Sequence, residues 1–325
     1  RNEMAFLTKY GSAWGAIPMT GGKVIFVSPS ASYTVDGNSY DASDDSDGLS
    51  PERAKRTIGS AITAATANAG DVIALLPGAH TTATAAAVSK AGLTFVGLPY
   101  QPEGDGIQAI PQASITGTAA IGVAVTAADV SFYNIKFIPI TQFQAVTFTT
   151  AANRLRFKHC MVDMIGVTGH ANTKGITGTG ATQAPVGLRV QGCFFRAGVA
   201  TTSSGYCLDI SAATEYIVEK CMIYHNGFIA SAVAWTAACK VNDNSNGIWR
   251  DNDLIASNVA VAVTGFIVGV TMTGAGQVQF FGNRTTVNTS GAAFTGWAAA
   301  DADLCNNYLS TVAGGTGGTL ITATT

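Results

Sequence analysis

Two aspartates late in the chain have the type and spacing for acid–base chemistry. Asp251 and Asp253 flank Asn252, so on a β-strand both carboxylates would face the same side. Two carboxylates on one surface are what glycan hydrolysis requires. The segment Arg250-Asp251-Asn252-Asp253 suits a polar turn equally well. We therefore predict no catalytic residue, and Asp251 and Asp253 are the candidates if the chain is an enzyme.

A second acidic group lies near the N-terminus, within residues 36–52. It contains Asp41, Asp44, Asp45 and Asp47. Carboxylate oxygens in a flexible turn suit Ca²⁺, but this segment lacks the downstream bidentate Glu of an EF-hand loop. Asx turns explain the composition without a metal. We predict no cofactor, and these four aspartates are the calcium candidates if a metal binds.

Other acids and cations could meet on the surface of a repeat structure. They are Asp163, Asp209 and Glu219, with Arg156, Lys158, Arg189, Arg196 and Arg250. A glycan-cleaving groove needs clustered acids and aromatic platforms for sugar rings. The long segment 165–185 contains neither an acid nor an aromatic residue. No phosphate-binding loop, serine elbow or dinucleotide fingerprint occurs either, so the motifs favour a non-enzymatic protein.

The composition argues against two kinds of partner. Charged residues make up 12% of the chain and the formal net charge is −2, so we expect no nucleic-acid partner. No apolar run reaches about 18 residues, so we expect no membrane span. The sequence opens on Arg1-Asn2-Glu3-Met4 without an apolar stretch, so we expect no secretory signal peptide.

The elements that must position these residues come from a repeat. Residues 187–195 alternate apolar and polar, reach a small residue, and end on an apolar pair; residues 154–162 and 215–223 do the same. Weaker copies occupy 93–100, 130–137, 248–255, 278–285 and 302–309. The central inward positions are predicted to be Phe95, Phe132, Phe157, Val190, Val218, Arg250, Phe280 and Leu304. Strand-like repeats of about 30 residues indicate a β-solenoid.

Two columns of side chains follow from this alignment. Cys160, Cys193 and Cys221 share one repeat position, which predicts an inward column of free thiols, as in a reducing cytoplasm. Asparagines recur at the polar corner position that His159, Gly192 and Lys220 occupy in other turns, and predict a structural ladder of stacked amides. They are Asn252, Asn283, Asn306 and Asn307. A second alternating strand at 123–129, 146–153, 207–214 and 268–275 predicts two sheets that meet at a short corner.

A helix is predicted before the repeats. Ser50 is the expected N-cap, with Pro51 and Glu52 in the first turn, and the helix should run to about Asn68. Its apolar face comprises Ala54, Ile58, Ala61, Ile62 and Ala65. Such a helix would cover the open first turn of the solenoid.

The opening of the chain resembles a known group. A strand at 23–27, the Asp-rich turn, Asp-Gly-Leu-Ser-Pro-Glu at 47–52, the helix and Gly-Asp-Val-Ile at 70–73 resemble the start of right-handed parallel β-helix proteins of the pectin-lyase-like superfamily. The likeness is greatest to those in tailed-bacteriophage virions. It implies an all-β, right-handed parallel β-helix with an N-terminal capping helix, which assembles as a homotrimer.

The resemblance also implies a function and a domain plan. We expect a virion structural protein, assembled in the host cytoplasm as a head fibre, spike or capsid decoration, in contact with host surface glycan. A tail-spike depolymerase or lyase is the alternative, and a bacterial adhesin is a third. Residues 1–22 would be an arm that binds other virion proteins, 23–80 the opening and cap, 81–312 the solenoid, and 313–325 a Gly-rich hinge with a terminal strand.

Overall fold

The computed structural model describes residues 21–35, 37–82, 84–99, 111–117, 121–139, 144–164, 174–178, 185–197, 206–210, 213–225, 239–242, 246–256, 267–270, 278–287, 294–295, 302–305, 307–311 and 319–321. The arm at 1–22 therefore lies outside the described residues except for Gly21 and Gly22. Asn306 and most of the segment 165–185 lie outside them too.

Three parallel sheets run along the chain, and each takes one strand from successive turns of the coil. The first contains Val24–Val27, Val72–Leu75, Thr94–Gly97, Ser131–Tyr133, Arg156–Lys158, Arg189–Gln191, Thr214–Glu219, Asn246–Arg250, Val278–Phe281 and Ala302–Cys305. The second contains Gly78–Thr82, Ala113–Gly117, Lys136–Ile138, Met161–Asp163, Phe194–Ala197, Met222–His225, Asp253–Ala256, Arg284–Val287, Asn307–Thr311 and Thr319–Ile321. The third contains Ala86–Val88, Ile121–Val125, Gln144–Phe148, Lys174–Gly178, Tyr206–Ile210, Cys239–Asn242, Ile267–Val270 and Phe294–Thr295.

This arrangement is the predicted right-handed parallel β-helix, with three sheets instead of two. The repeat pattern is divided by a residue at positive φ, which turns the chain from the first sheet to the second. Those corner residues are Asn134, His159, Gly192, Lys220, Asp251 and Gly282, with φ between 52° and 59°. Left-handed backbone carries a steric cost for residues with a Cβ, which glycine avoids. The corner splits what looks like one strand in the sequence into two.

Aromatic side chains stack along the interior of the first sheet. Phe95, Phe132 and Phe157 are in register, and their successive ring centroids are 4.9 and 5.2 Å apart. Val190 and Val218 continue the inward row, as predicted. The next inward residue is Trp249 and not Arg250, because Val218 pairs with Trp249. The prediction for this turn was wrong by one residue, a shift that exchanges the inner and outer faces.

The predicted helix is present but much shorter. It spans Ile58–Ala64, and Thr57 is the N-cap, whose side chain accepts from the Ser60 amide. Ser50 makes no capping bond; Pro51–Arg53 form a 3₁₀ turn, and Lys55 then pairs with Val27 in a parallel bridge. Because this bridge keeps the chain extended at Lys55, the helix begins only at Ile58.

The helix covers the interior at the N-terminal end of the solenoid. Ile58, Ala61, Ile62 and Ala65 are buried in the same apolar cluster as Ile25. These four residues belong to the predicted apolar face. Ala54, which was assigned to the same face, lies in a separate cluster.

A second apolar layer covers the outside of the first sheet at its N-terminal end. Its core includes Phe26, Val72, Ala74 and Val96 with Ala54. The antiparallel hairpin of strands Ser32–Val35 and Asn38–Asp41 contributes Tyr33 to this layer. The Tyr33 hydroxyl donates to the Pro51 carbonyl and accepts from the Ala54 amide.

At the other end, Thr319–Ile321 pairs antiparallel with Asn307–Thr311 of the same chain. In the described part of the chain, no helix has the length and apolarity to cross a membrane.

Candidate functional site

The Asp-rich turn is organised around a lysine ammonium group. Lys55 Nζ donates to the carbonyl oxygens of Asp44 and Ser46, at 2.9 and 2.7 Å, and Lys55 is buried. The Lys55 ammonium group thus occupies two carbonyl oxygens that could otherwise coordinate a calcium ion. Among the described residues, no three His, Cys, Asp or Glu side chains converge on a metal position.

Two of the four calcium candidates already have protein partners. The Asp44 carboxylate accepts from the backbone N–H groups of Arg56 and Thr57 and from the hydroxyls of Thr57 and Ser60. Partial burial raises the pKa of Asp44, but these hydrogen bonds outweigh it and leave the pKa below its usual range. Asp47 accepts from the Leu49 amide and pairs with Arg53. Asp41 ends a hairpin strand, and Asp45 lies in the turn.

The two catalytic candidates lie on different elements. Asp251 is an exposed residue of the left-handed corner, and its backbone N–H donates to the Phe281 carbonyl at 3.0 Å. Asp253 begins the next strand of the second sheet. Arg284 donates to both of its carboxylate oxygens, at 2.7 and 2.8 Å. The structure therefore places the segment at a polar corner and gives Asp253 a structural partner.

The other predicted acids join neighbouring turns of the coil. Asp163 pairs with Lys136 at 2.8 Å and Arg196 at 3.2 Å. Glu219 accepts from Arg250 Nε at 2.7 Å. Each partner lies one turn away, so the pairs cross-link turns much as backbone hydrogen bonds do. These acids and most of the cations can be named from the sequence, but their pairing depends on contacts between turns.

A mixed cluster on the third sheet was missed by sequence inspection. Lys174 Nζ lies 2.6 Å from Asp209, which is 1% exposed, and Lys240 Nζ lies 5.7 Å from the centre of the Tyr206 ring. Burial, with a smaller contribution from the Asp209 charge, raises the pKa of Tyr206. The tyrosine is therefore a proton donor and not a base at neutral pH. These four side chains come together only through the pairing of strands that are about 30 residues apart in the sequence.

The cysteine column is confirmed. Cys160, Cys193 and Cys221 are all buried at the corner after the first sheet, and their thiols donate to backbone carbonyls of the preceding turn. Burial raises the pKa of Cys160 and Cys221, which keeps both as thiols. Asn252 and Asn283 continue this cysteine column, and the bond between their side chains confirms the amide ladder for this pair. The predicted position of Asn252 was wrong by one residue, because Asp251 is the corner residue equivalent to Lys220.

No protein-family model matches the sequence, and no curated protein matches it. Solved structures do match. Pectate lyase Pel9A is 15% identical over 91% of this chain and 82% of its own, with a TM-score of 0.50. Pectin methylesterase PemA from Erwinia chrysanthemi is 12% identical over 87% of this chain and 82% of its own, with a TM-score of 0.48. A pectin methylesterase from carrot is 12% identical over 91% and 90%, with a TM-score of 0.41.

This chain shares the right-handed parallel β-helix fold with pectate lyase Pel9A. At such identities the likeness concerns the fold alone, because one fold hosts many activities.

Proposed function

We propose that this chain is a non-enzymatic structural protein of a tailed-phage virion, as a head fibre, spike or capsid decoration in contact with host surface glycan. The resemblance of residues 23–80 to such proteins supports the virion setting. One structural observation carries the non-enzymatic part: Asp163, Asp209, Glu219 and Asp253 are each held in an ion pair with a cation from another turn.

These ion pairs bear directly on catalysis. A glycosidase needs one carboxyl group that still holds a proton near neutral pH and a second that is free to attack or to activate water. A carboxylate that already accepts from an ammonium or guanidinium group is poorly suited to either task. Bonds of this kind join successive turns, so the acids contribute to the rigidity of the rod. A rigid rod is what a fibre or spike requires.

We propose further that the protein is a homotrimer and that residues 1–22 bind other virion proteins. The resemblance supports the trimer. The arm contains Phe6, Tyr10, Trp14 and Met19 among glycines, a composition that suits docking to a partner surface. Neither proposal requires a cofactor, and the virion would be the site of action.

The deciding experiment is the native mass in solution of the full chain and of a variant without residues 1–22. We expect a trimer in both cases, because the solenoid itself should carry the contacts between subunits. A monomer in both cases would contradict the fibre role. The same samples should release no reducing ends or unsaturated products from a panel of bacterial polysaccharides; release would contradict the non-enzymatic assignment.

A glycan depolymerase or lyase is the second candidate, and the third-sheet cluster is the observation that favours it. Lys174, Tyr206, Asp209 and Lys240 are the types of residue that could bind and cleave a uronate. If product release is seen, Asp209→Asn should abolish it, and Asp129→Asn, which alters an exposed ion pair elsewhere, should not.

A further inference from the structure

Three cations lie together on the outer face of the first sheet. Arg156 and Arg189 are direct partners in adjacent strands, and Lys158 lies two residues after Arg156, on the same face. Phe157, which follows Arg156, and Val190, which follows Arg189, point inward and are fully buried. Paired residues of adjacent strands are about 4.8 Å apart at Cα. We call Arg156, Lys158 and Arg189 the basic strip.

The basic strip differs from the other cations of the chain. Most described lysines and arginines form ion pairs or donate to carbonyl oxygens, as Arg154 does with Asp129 and Lys90 does with Thr63 and Ala65. Within the described residues, no carboxylate pairs with any member of the strip. Three cations without such a partner thus lie side by side on one face of the described solenoid.

Such an arrangement has a cost for the fold. Like charges directly opposite each other on a sheet destabilise it, and Arg156 and Arg189 are in that relationship. In a chain with only 12% charged residues, two adjacent arginines are not a consequence of a generally charged surface. An anion from outside the chain would remove the repulsion and use the guanidinium groups, which bind carboxylates with two hydrogen bonds.

The surroundings of the strip suit a flat polar polymer. Tyr133 and Ser131 precede it in the neighbouring strand and Gln191 follows Lys158 in register, and all three are partly exposed. A tyrosine ring and amide groups are common partners of sugar rings and hydroxyls. A long polyanion such as nucleic acid makes about 6 to 10 phosphate contacts. Three cations on a chain of net charge −2 do not supply them.

We propose that the basic strip is a binding surface for a carboxylate-bearing glycan, one whose uronic-acid residues are held by Arg156 and Arg189. This inference deepens the proposed function, on which it rests only for the source of the glycan, the host surface. The two arginines are 33 residues apart in the sequence and occupy the same position of successive repeats, so the register of the solenoid makes them direct neighbours.

Binding to immobilised polygalacturonate at low salt tests the proposal. The full chain should bind polygalacturonate, should not bind neutral dextran, and should bind more weakly as salt rises. The double variant Arg156→Gln/Arg189→Gln should lose about tenfold or more in affinity, since it removes two charge-assisted contacts. Arg156→Lys/Arg189→Lys, which keeps charge but loses the planar fork, should be intermediate.

The matched control is Arg53→Gln/Arg284→Gln, which removes the same charge from two exposed ion pairs away from the strip. It should bind like the unmodified chain. Equal binding by the strip variant, no binding by the unmodified chain, or equally tight binding of a DNA oligonucleotide would each overturn the proposal. Thermal unfolding of every variant verifies the fold. If the protein is a trimer but does not bind polygalacturonate, only the glycan-binding proposal fails. If it is a monomer that binds polygalacturonate, only the proposed virion role fails.

Discussion

The side-chain amide of Asn252 donates to Oδ1 of Asn283, 2.9 Å away and one turn further along the solenoid. Asn252 also accepts from the Cys221 backbone N–H at 2.9 Å and donates to the Val218 carbonyl at 3.0 Å. Asn252 and Asn283 are both 1% exposed. The inward corner column therefore changes from thiols to amides at this point, and the amides bind both each other and the backbone of the previous turn.

Replacement of Asn252 should be among the more damaging changes to a small side chain. Asn252→Ala leaves the Cys221 N–H, the Val218 carbonyl and part of Asn283 buried without partners. Each such group costs about 1–3 kcal/mol, so we expect a loss of about 2–5 kcal/mol in the free energy of unfolding, measured with urea. Asn252→Cys should cost less, because Cys221 at the same column position donates to the Val190 carbonyl. A loss below about 0.5 kcal/mol for the alanine variant would show that the ladder is not structural.

Lys55 provides a test of the calcium hypothesis. Because its ammonium group already donates to the Asp44 and Ser46 carbonyls, neither Ca²⁺ nor a chelator should shift the thermal midpoint of the unmodified chain. Lys55→Met removes these bonds while it keeps much of the apolar stem, and should cost about 1–3 kcal/mol. Arg53→Met, at an exposed ion pair in the same turn, is the control and should have a small effect. A rise in midpoint on addition of Ca²⁺ would restore Asp41, Asp44, Asp45 and Asp47 as ligands.

Parts of this structure follow from its sequence, for identifiable reasons. The Phe95, Phe132 and Phe157 row is predictable because large apolar residues alternate with polar ones at each turn. The cysteine column follows from the same alignment. Trp249 was missed because Ile248 on the outer face, in register with Ile217, makes this turn apolar on both sides. A bulge between Thr214 and Tyr216 shifts the partner strand as well.

Other features depend on contacts that no local pattern contains. The Lys174–Asp209 pair joins residues 35 apart in the sequence. The sequence places Lys55 inside the predicted helix, but its bridge to Val27 makes this segment extended. The division of each repeat between the first and second sheets was missed, because a polar corner residue such as Lys220 gives no sequence signal for positive φ. Candidate acids could thus be named from the sequence, but their neutralisation by cations of other turns could not.

His80 should make stability depend on pH. Burial lowers its pKa to about 4 from 6.5, with a further lowering from the Arg56 charge, although the hydrogen bond between Nε2 and the Leu76 carbonyl, 2.8 Å long, opposes the shift. The unfolded chain therefore binds more protons than the folded one between these two values. Stability is full above pH about 6.5 and falls as the pH drops toward 4, by about 3 kcal/mol at most.

The measurement is urea unfolding at several pH values between 4 and 7, compared with His80→Gln. Glutamine keeps a donor for the Leu76 carbonyl but does not titrate, so this variant should lose most of the slope with pH over that range. An unchanged slope would assign the pH dependence to other groups. Asp44, whose pKa is lowered, acts at more acidic pH, since its contribution is lost only as the pH falls through its folded value.

Trp249 and Arg250 give a direct test of register in the C-terminal half of the solenoid. Trp249 is fully buried, its ring lies 6.5 Å from Phe280, and its Nε1 donates to the Tyr216 hydroxyl at 3.1 Å. Trp249→Ala should therefore cost about 3–5 kcal/mol, because it leaves a large cavity and an unpaired hydroxyl. Arg250 lies on the outer face, and Arg250→Ala removes the cation that pairs with the buried Glu219 carboxylate, so it should cost about 1–3 kcal/mol, less than the loss of Trp249. Both losses would be read from urea unfolding, and the reverse order would mean that Arg250 points inward and that the strand is displaced by one residue.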